Sequence, residues 1–151
     1  MDVSSFSEIE DKFLDYVNQY VYCNMATVDK KNRPRSRIVH PVWEGSIGWV
    51  ISWQATLKSK HIANNPYVSL AYFCHAKDNP MYIECRAQWE NDRDEMWRVW
   101  EYYRTARHPM GFDPEPHFGD IDHEHFGLLK LTPWRIELYN LGGESLIWKA
   151  Q

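Results

Sequence analysis

The sequence has few cysteines, no long apolar run and no strong excess of charge of either sign. Its three cysteines in 151 residues are too few and too irregularly spaced for a disulfide framework or a cysteine metal site. No apolar run approaches the ~20 residues of a transmembrane helix, so we expect no membrane partner. A net charge of −4 excludes a generic nucleic-acid binder.

The cysteines and the first residues together predict a cellular compartment. Residues 1–11 are polar and acidic, which is not the pattern of a secretory signal or of a transit peptide. Cys23, Cys74 and Cys85 are odd in number and lack metal-ligand spacing, which predicts reduced, partly buried thiols. We therefore expect a cytoplasmic protein.

Aromatic side chains are abundant, at 15% of the residues, and include eight Trp and nine Tyr. This content favours a β-rich core or an aromatic-lined interface. Hydrophobic residues at 44% and charged residues at 25% are typical of a globular protein. The length fits one domain, which we assign to residues 1–151.

Hydrophobic periodicity predicts three helices and six or seven short strands. The helices are predicted at residues 5–20, 56–64 and 92–103. The strands are predicted at residues 21–28, 35–43, 48–53, 67–74, 81–90, 126–131 and 134–141. Because short turns join most strands, we expect mostly antiparallel pairing in a β-barrel flanked by helices, an α+β fold.

Basic residues cluster between positions 30 and 60. Seven lie there against one acid, Glu44, which gives this window a charge of +6 in an acidic chain. The seven are Lys30, Lys31, Arg33, Arg35, Arg37, Lys58 and Lys60. For the hairpin residues Lys30, Lys31 and Arg33 we favour an ordinary solvated surface.

Arg37, Thr56 and Lys58 are instead predicted to form an anion site. Thr56 is a plausible N-cap, and it places Lys58 in the first helical turn. A helix N-terminus offers free amide donors and the positive end of a dipole, which suits a phosphate. An arginine on a neighbouring strand can add two parallel hydrogen bonds to the same group.

Four stretches of the chain resemble the FMN-binding split-barrel proteins related to pyridoxamine 5′-phosphate oxidase. They are residues 33–43 (RPRSRIVHPVW), 52–58 (SWQATLK), 61–70 (HIANNPYVSL) and 126–136 (FGLLKLTPWRI). The order of elements agrees with this family over nearly the whole chain. The resemblance implies a six- to seven-stranded, mostly antiparallel split β-barrel with flanking helices.

The resemblance also implies a cofactor site. Arg37 would contact the flavin phosphate, Thr56 and Lys58 would complete the phosphate site, and Ser52 and Trp53 would close its ribityl side. The backbone of Ile38, Val39 and His40 would run beside the isoalloxazine ring. In this family the cofactor lies at a dimer interface, so a homodimer is implied.

The implied function is a flavin-dependent oxidoreductase that uses FMN, or alternatively deazaflavin, on an unidentified small molecule. True pyridoxamine phosphate oxidases have a C-terminal cluster of Arg and His for the substrate phosphate. After Phe126 this chain has only Lys130, Arg135 and Lys149, and no His, so a different substrate is expected. The alternatives are a non-catalytic flavin- or haem-binding sensor or stress protein, and a structural dimer without cofactor. No catalytic residue is identified.

Three further features have competing interpretations. His40 would either tune the flavin or position a substrate, or it is an ordinary half-buried residue, which we favour slightly. Residues 120–125 (DIDHEH) are expected to form a solvated acidic turn rather than a metal site.

The loop 109–122 is long, and we hypothesise that Phe112 and Phe118 make it a lid over the flavin or a wall of the substrate pocket. No nucleophile has a recognisable partner, which disfavours hydrolase chemistry.

Overall fold

Residues 1–73 and 79–151, which a computed structural model describes, contain nine strands and four α-helices. The helices are α1 (Glu10–Gln19), α2 (Leu57–Asn64), α3 (Arg93–Thr105) and α4 (Glu115–Phe118), and a 3-10 turn (Phe6–Glu8) precedes α1. The strands are β1 (Asp2–Val3), β2 (Cys23–Val28), β3 (Pro34–Val39), β4 (Val42–Glu44), β5 (Ile47–Trp53), β6 (Tyr67–Tyr72), β7 (Met81–Trp89), β8 (Phe126–Leu138) and β9 (Leu146–Lys149).

The strands form one sheet in the order β1-β9-β8-β7-β6-β2-β3, and β5 joins it through β8 and also pairs with β4. All pairs are antiparallel except β1 with β9. Residues 126–131 of β8 pair with β5 and residues 129–138 pair with β7, so the two strands flank β8 together only at residues 129–131 and β5 extends the sheet beyond the end of β7. This confirms the predicted α+β split β-barrel.

Two hydrophobic cores lie on opposite faces of β5 and β8. Val50 and Leu129 pack with α1 in the first core, whereas Ile51 and Leu128 pack with α3 in the second. Side chains alternate between the faces of a strand, so both faces of this strand pair are buried. The sequences of these two strands are therefore rich in consecutive apolar residues. Helix α3 and the loop that follows it pack against the face of β5 that belongs to the second core.

The structure differs from the predicted boundaries at two prolines. Predicted strand 35–43 is divided into β3 and β4 at His40-Pro41, so His40 lies just after a strand and not within one. Pro41 has no N–H to donate to a ladder, which explains the break. By contrast, Pro133 lies inside β8, opposite Cys85. The register of the β7–β8 pairing shifts between Glu84 and Cys85, and such an irregularity tolerates a residue that has no N–H to donate.

The remaining differences concern short elements and one gap. The two-residue β1 and four-residue β9 were not predicted, and the predicted loop 109–122 contains α4. Cys23 and Cys85 are buried, as predicted for reduced thiols. Cys74, and with it the predicted end of strand 67–74, lies outside the described residues. No helix in the described ranges has the length and apolarity needed to cross a membrane.

Candidate functional site

Arg37 lies on β3, whose second edge has no partner strand among the described residues. Its Nη1 donates to Thr27 Oγ1 at 2.7 Å and to the backbone oxygen of Met25 at 3.2 Å. Burial, and next the charge of Arg35, lower the pKa of Arg37. An arginine starts from a pKa above 12, so the guanidinium stays charged. Arg37 is therefore a fixed, half-buried cation.

Arg37 is held by Thr27, which in turn contacts His61, and neither residue is among those predicted from the sequence. Thr27 is fully buried on β2, and its Oγ1 lies 2.8 Å from Nδ1 of His61 on α2. Because a guanidinium only donates, Thr27 Oγ1 accepts from Arg37 and its own proton is available to His61 Nδ1. This chain of hydrogen bonds connects β3, β2 and α2, and so fixes the strand arginine relative to the helix.

Thr56 and Lys58 lie at the start of α2, where the predicted N-cap is found. The Thr56 hydroxyl donates to the backbone oxygen of Trp53 and accepts from Lys58 Nζ at 2.8 Å. Lys58 is only 7% exposed, and Nζ also donates to the Trp53 backbone oxygen at 3.0 Å. Burial, and next the nearby charge of Arg37, lower the pKa of Lys58 to about 8.

Arg37, Thr56 and Lys58 line one cavity of about 480 Å³, together with Arg35, Ser36 and Leu57. In the described part of the chain, no carboxylate lies within 4 Å of Arg37 or Lys58. The cavity also includes Thr56 and Leu57, where α2 begins, and a helix leaves its first N–H groups without α-helical acceptors. Two cations and the start of a helix thus lie at one cavity without a carboxylate partner among the described residues, an arrangement that is chemically suited to an anion such as a phosphate.

The other predicted cofactor residues do not line this cavity, and they differ in exposure. Ile38 is 62% exposed, whereas Val39 is buried in the first core. Ser52 pairs with Gly127 of β8, and Trp53 follows it with 49% of its surface exposed. The backbone oxygen of Trp53 belongs to the phosphate site through Thr56 and Lys58, and its ring faces the loop before β8.

The loop between α3 and β8 contacts both ends of the predicted cofactor site. Phe112 lies 5.4 Å from the His40 ring, and Phe118 lies 5.9 Å from the Trp53 ring. His125 also stacks on Trp53, with ring centroids 5.0 Å apart. These contacts place the loop against two of the predicted cofactor residues, and its role as a lid over the flavin or as a wall of the substrate pocket stays a prediction. Within the predicted acidic turn, Asp122 forms an ion pair with Arg93 of α3.

Tyr103 of α3 fixes the backbone where β3 ends. Its hydroxyl lies 2.8 Å from the backbone oxygens of His40 and of Trp49, deep in the second core. We expect Tyr103→Phe to lower the free energy of unfolding by about 1–3 kcal/mol, because the two carbonyl oxygens lose the one O–H donor that they share and the Ile51 amide loses its acceptor. Urea unfolding followed by circular dichroism measures this. Tyr102→Phe, on a half-exposed neighbour, should change the value by less than about 0.5 kcal/mol; equal effects would contradict the assignment.

Comparison with known proteins gives one family for this chain. The profile of the pyridoxamine 5′-phosphate oxidase family matches residues 9–138, which is most of the chain. A comparison with curated protein sequences gives no significant match.

Solved structures share the fold over nearly the full length. An FMN-binding protein related to pyridoxamine 5′-phosphate oxidase from Nostoc punctiforme has a TM-score of 0.66 and 15% identity, over 99% of this chain and 92% of that one. A Clostridium acetobutylicum protein related to general stress protein 26 has a TM-score of 0.75 and 14% identity, over 94% of each chain. The haem storage protein HutZ from Vibrio cholerae has a TM-score of 0.62 and 18% identity, over 83% of this chain and 89% of that one.

Proposed function

Because the chain belongs to the pyridoxamine 5′-phosphate oxidase family, we propose that it binds FMN and acts as an oxidoreductase on a small molecule. The observation on which this rests is the pair of partly buried cations, Arg37 and Lys58, which face one cavity without a carboxylate partner in the described residues. An FMN-binding protein with the same fold supports the choice of FMN.

The chain's own residues fit a flavin phosphate. Arg37 presents its planar fork to the cavity while Thr27 and the Met25 carbonyl hold one end of it. Lys58 adds a second cation, which Thr56 orients. When bound, the flavin ring supplies the hydride-transfer chemistry, and the protein supplies binding and orientation. The phosphate pairs with both cations and offsets their mutual repulsion.

A second copy of the chain is part of this proposal. Ile38, Trp53 and Leu57 are exposed apolar side chains beside the phosphate cavity and the open edge of β3. Apolar side chains and an unpaired strand edge in one region are typical of a protein interface. A homodimer that covers this region would close the cavity over the cofactor.

Titration with FMN, riboflavin and deazaflavin tests the proposal directly. We expect saturable FMN binding that inorganic phosphate inhibits, and binding of riboflavin at least about tenfold weaker because it lacks the charge-assisted hydrogen bonds. Binding of deazaflavin in preference to FMN would identify that cofactor instead. Binding of neither flavin, or binding of haem alone, would overturn the proposal.

The affinity for FMN is expected to fall at alkaline pH. Lys58 has a pKa of about 8 in the unliganded protein, and a bound phosphate dianion raises it. Affinity is therefore highest below pH 8 and declines as the pH rises from 8 toward the pKa of the complex. Between pH 7.5 and 9.5 we expect the Kd to increase about tenfold.

Lys58→Arg is the matched control for this pH dependence. An arginine stays charged over the whole interval, so the variant's Kd should be nearly constant between pH 7.5 and 9.5, whatever its absolute value. The phosphate itself does not titrate there, because its second pKa is about 6. The same decline in both proteins would show that Lys58 is not the titrating group.

A further inference from the structure

A second cavity, of about 450 Å³, is lined by His40 and shares no described lining residue with the phosphate cavity. Aromatic and imidazole rings line it: Tyr22, His40, His108, Phe112 and His117. Arg37, Thr56 and Lys58 do not line it, so the two cavities are separate. Its described lining contains no carboxylate and no lysine or arginine. A planar, uncharged molecule suits such walls better than a cation or a phosphate.

His40 presents a fixed hydrogen-bond acceptor in this cavity. Its Nε2 lies 2.9 Å from the backbone oxygen of Met110. A carbonyl oxygen only accepts, so Nε2 carries the proton and Nδ1 of the neutral ring keeps its lone pair. Burial lowers the pKa of His40, which favours the neutral ring at pH 7. The imidazole therefore has a defined tautomer, and Met110 sets it.

The Nδ1 atom of His40 has no partner within the described residues. No buried side-chain nitrogen or oxygen there lacks a hydrogen bond, so Nδ1 reaches accessible space. Tyr22 and Phe112 lie against the same imidazole, with ring centroids 5.0 and 5.4 Å from it. An aromatic ligand in this cavity would therefore meet two aromatic side chains and one hydrogen-bond acceptor.

We propose that this cavity binds a small, uncharged aromatic compound whose hydroxyl or ring N–H donates to Nδ1 of His40. The compound belongs to the class of phenols and indoles. The site lies next to the end of β3, the strand that presents Arg37 to the phosphate cavity. A molecule bound here is therefore a candidate substrate of the proposed flavoprotein, but the site itself depends only on the described side chains.

The first test compares 2-naphthol with 2-methoxynaphthalene by isothermal titration calorimetry, with and without saturating FMN. The two probes have the same ring system, and only 2-naphthol has a donor. We expect 2-naphthol to bind about tenfold more tightly, the effect of one hydrogen bond. Equal affinities, or binding of neither probe, would overturn the proposal. Loss of 2-naphthol binding in the presence of FMN would also overturn it, because the cavity would then be the seat of the flavin itself.

The second test uses His40→Phe, which keeps a ring in the same place and removes the acceptor. We expect this variant to bind the two probes equally, through a roughly tenfold loss for 2-naphthol alone. Tyr67→Phe, which removes a polar group from an exposed ring outside the cavity, should keep the tenfold preference. If His40→Phe does not fold, Phe112→Ala tests the wall instead and should weaken both probes together. A preserved preference in folded His40→Phe, or unchanged affinities in Phe112→Ala, would contradict the assignment.

Discussion

Replacing Arg37 and Lys58 together by alanine is expected to weaken FMN binding by at least about 100-fold, since each charge-assisted hydrogen bond contributes ~1.5–3 kcal/mol. Both side chains line the phosphate cavity, and neither has a carboxylate partner among the described residues. Their charges are therefore available to the phosphate in the unaltered protein and missing in the variant. The fold should be retained, because the substitution removes two cations that repel each other. Fluorescence titration with FMN measures the loss.

Two controls separate the phosphate contacts from other effects. Riboflavin has the same ring without the phosphate, so the double variant should bind it within about threefold of the unaltered protein. Lys60→Ala removes an exposed cation from the same basic stretch, and should also change FMN affinity less than threefold. Unchanged FMN affinity in the double variant would refute the phosphate site, whereas an equal loss of riboflavin binding would show that the ring pocket was damaged.

The phosphate site could be predicted from sequence because its signals are local. Thr56 and Lys58 are two residues apart at a helix start, and Arg37 lies in a run of arginines spaced by two. Thr27 and His61 could not be predicted in the same way. Thr27 is one polar residue in an otherwise alternating strand, and His61 is 34 positions away on a helix. Only the pairing of β2 with β3 and the packing of α2 bring them together.

The fold class was predictable for a similar reason, and the details at the prolines were not. Alternation along β7 and short turns between strands indicate an antiparallel sheet from sequence alone. Whether a proline ends a strand depends on whether the neighbouring strand needs the hydrogen bond that the proline cannot donate. Pro41 ends pairing, whereas Pro133 continues it at a shift in register, and that partner geometry is a property of the folded chain.

The cavity at His40 could not be predicted from the sequence either, because its residues come from distant segments of the chain. The sequence placed His40 beside a predicted flavin and favoured an ordinary role for it. Its tautomer depends on the backbone oxygen of Met110, which is 70 positions away. Its walls come from Tyr22, before β2, and from Phe112, after α3. A site built from three distant segments has no local motif, so only the structure could suggest it.

Replacing Trp43 by alanine is expected to lower the free energy of unfolding by about 3–5 kcal/mol, the usual cost of removing a buried aromatic side chain. Trp43 is 2% exposed and packs edge-to-face against Phe13, with ring centroids 5.1 Å apart. Its Nε1 donates to the Tyr72 hydroxyl at 2.9 Å in the first core. Its ring also fills the space beside Gly48, where an added Cβ would approach it to 2.8 Å. A domain is stable by only about 5–15 kcal/mol, so this variant should be close to unfolded at 37 °C.

Urea unfolding of three variants measures this prediction. Trp43→Phe keeps the aromatic contact with Phe13 and loses the donor to Tyr72, so we expect a smaller loss, about 1–3 kcal/mol. Trp134→Ala, on a residue that is 45% exposed on β8, is the control and should change stability by less than about 1 kcal/mol. If Trp43→Ala and Trp134→Ala had the same urea midpoint, the first core would not depend on Trp43. A loss in Trp43→Phe as large as in Trp43→Ala would instead place the stabilisation in what an indole has and a phenyl ring lacks, the donor to Tyr72 and the second ring.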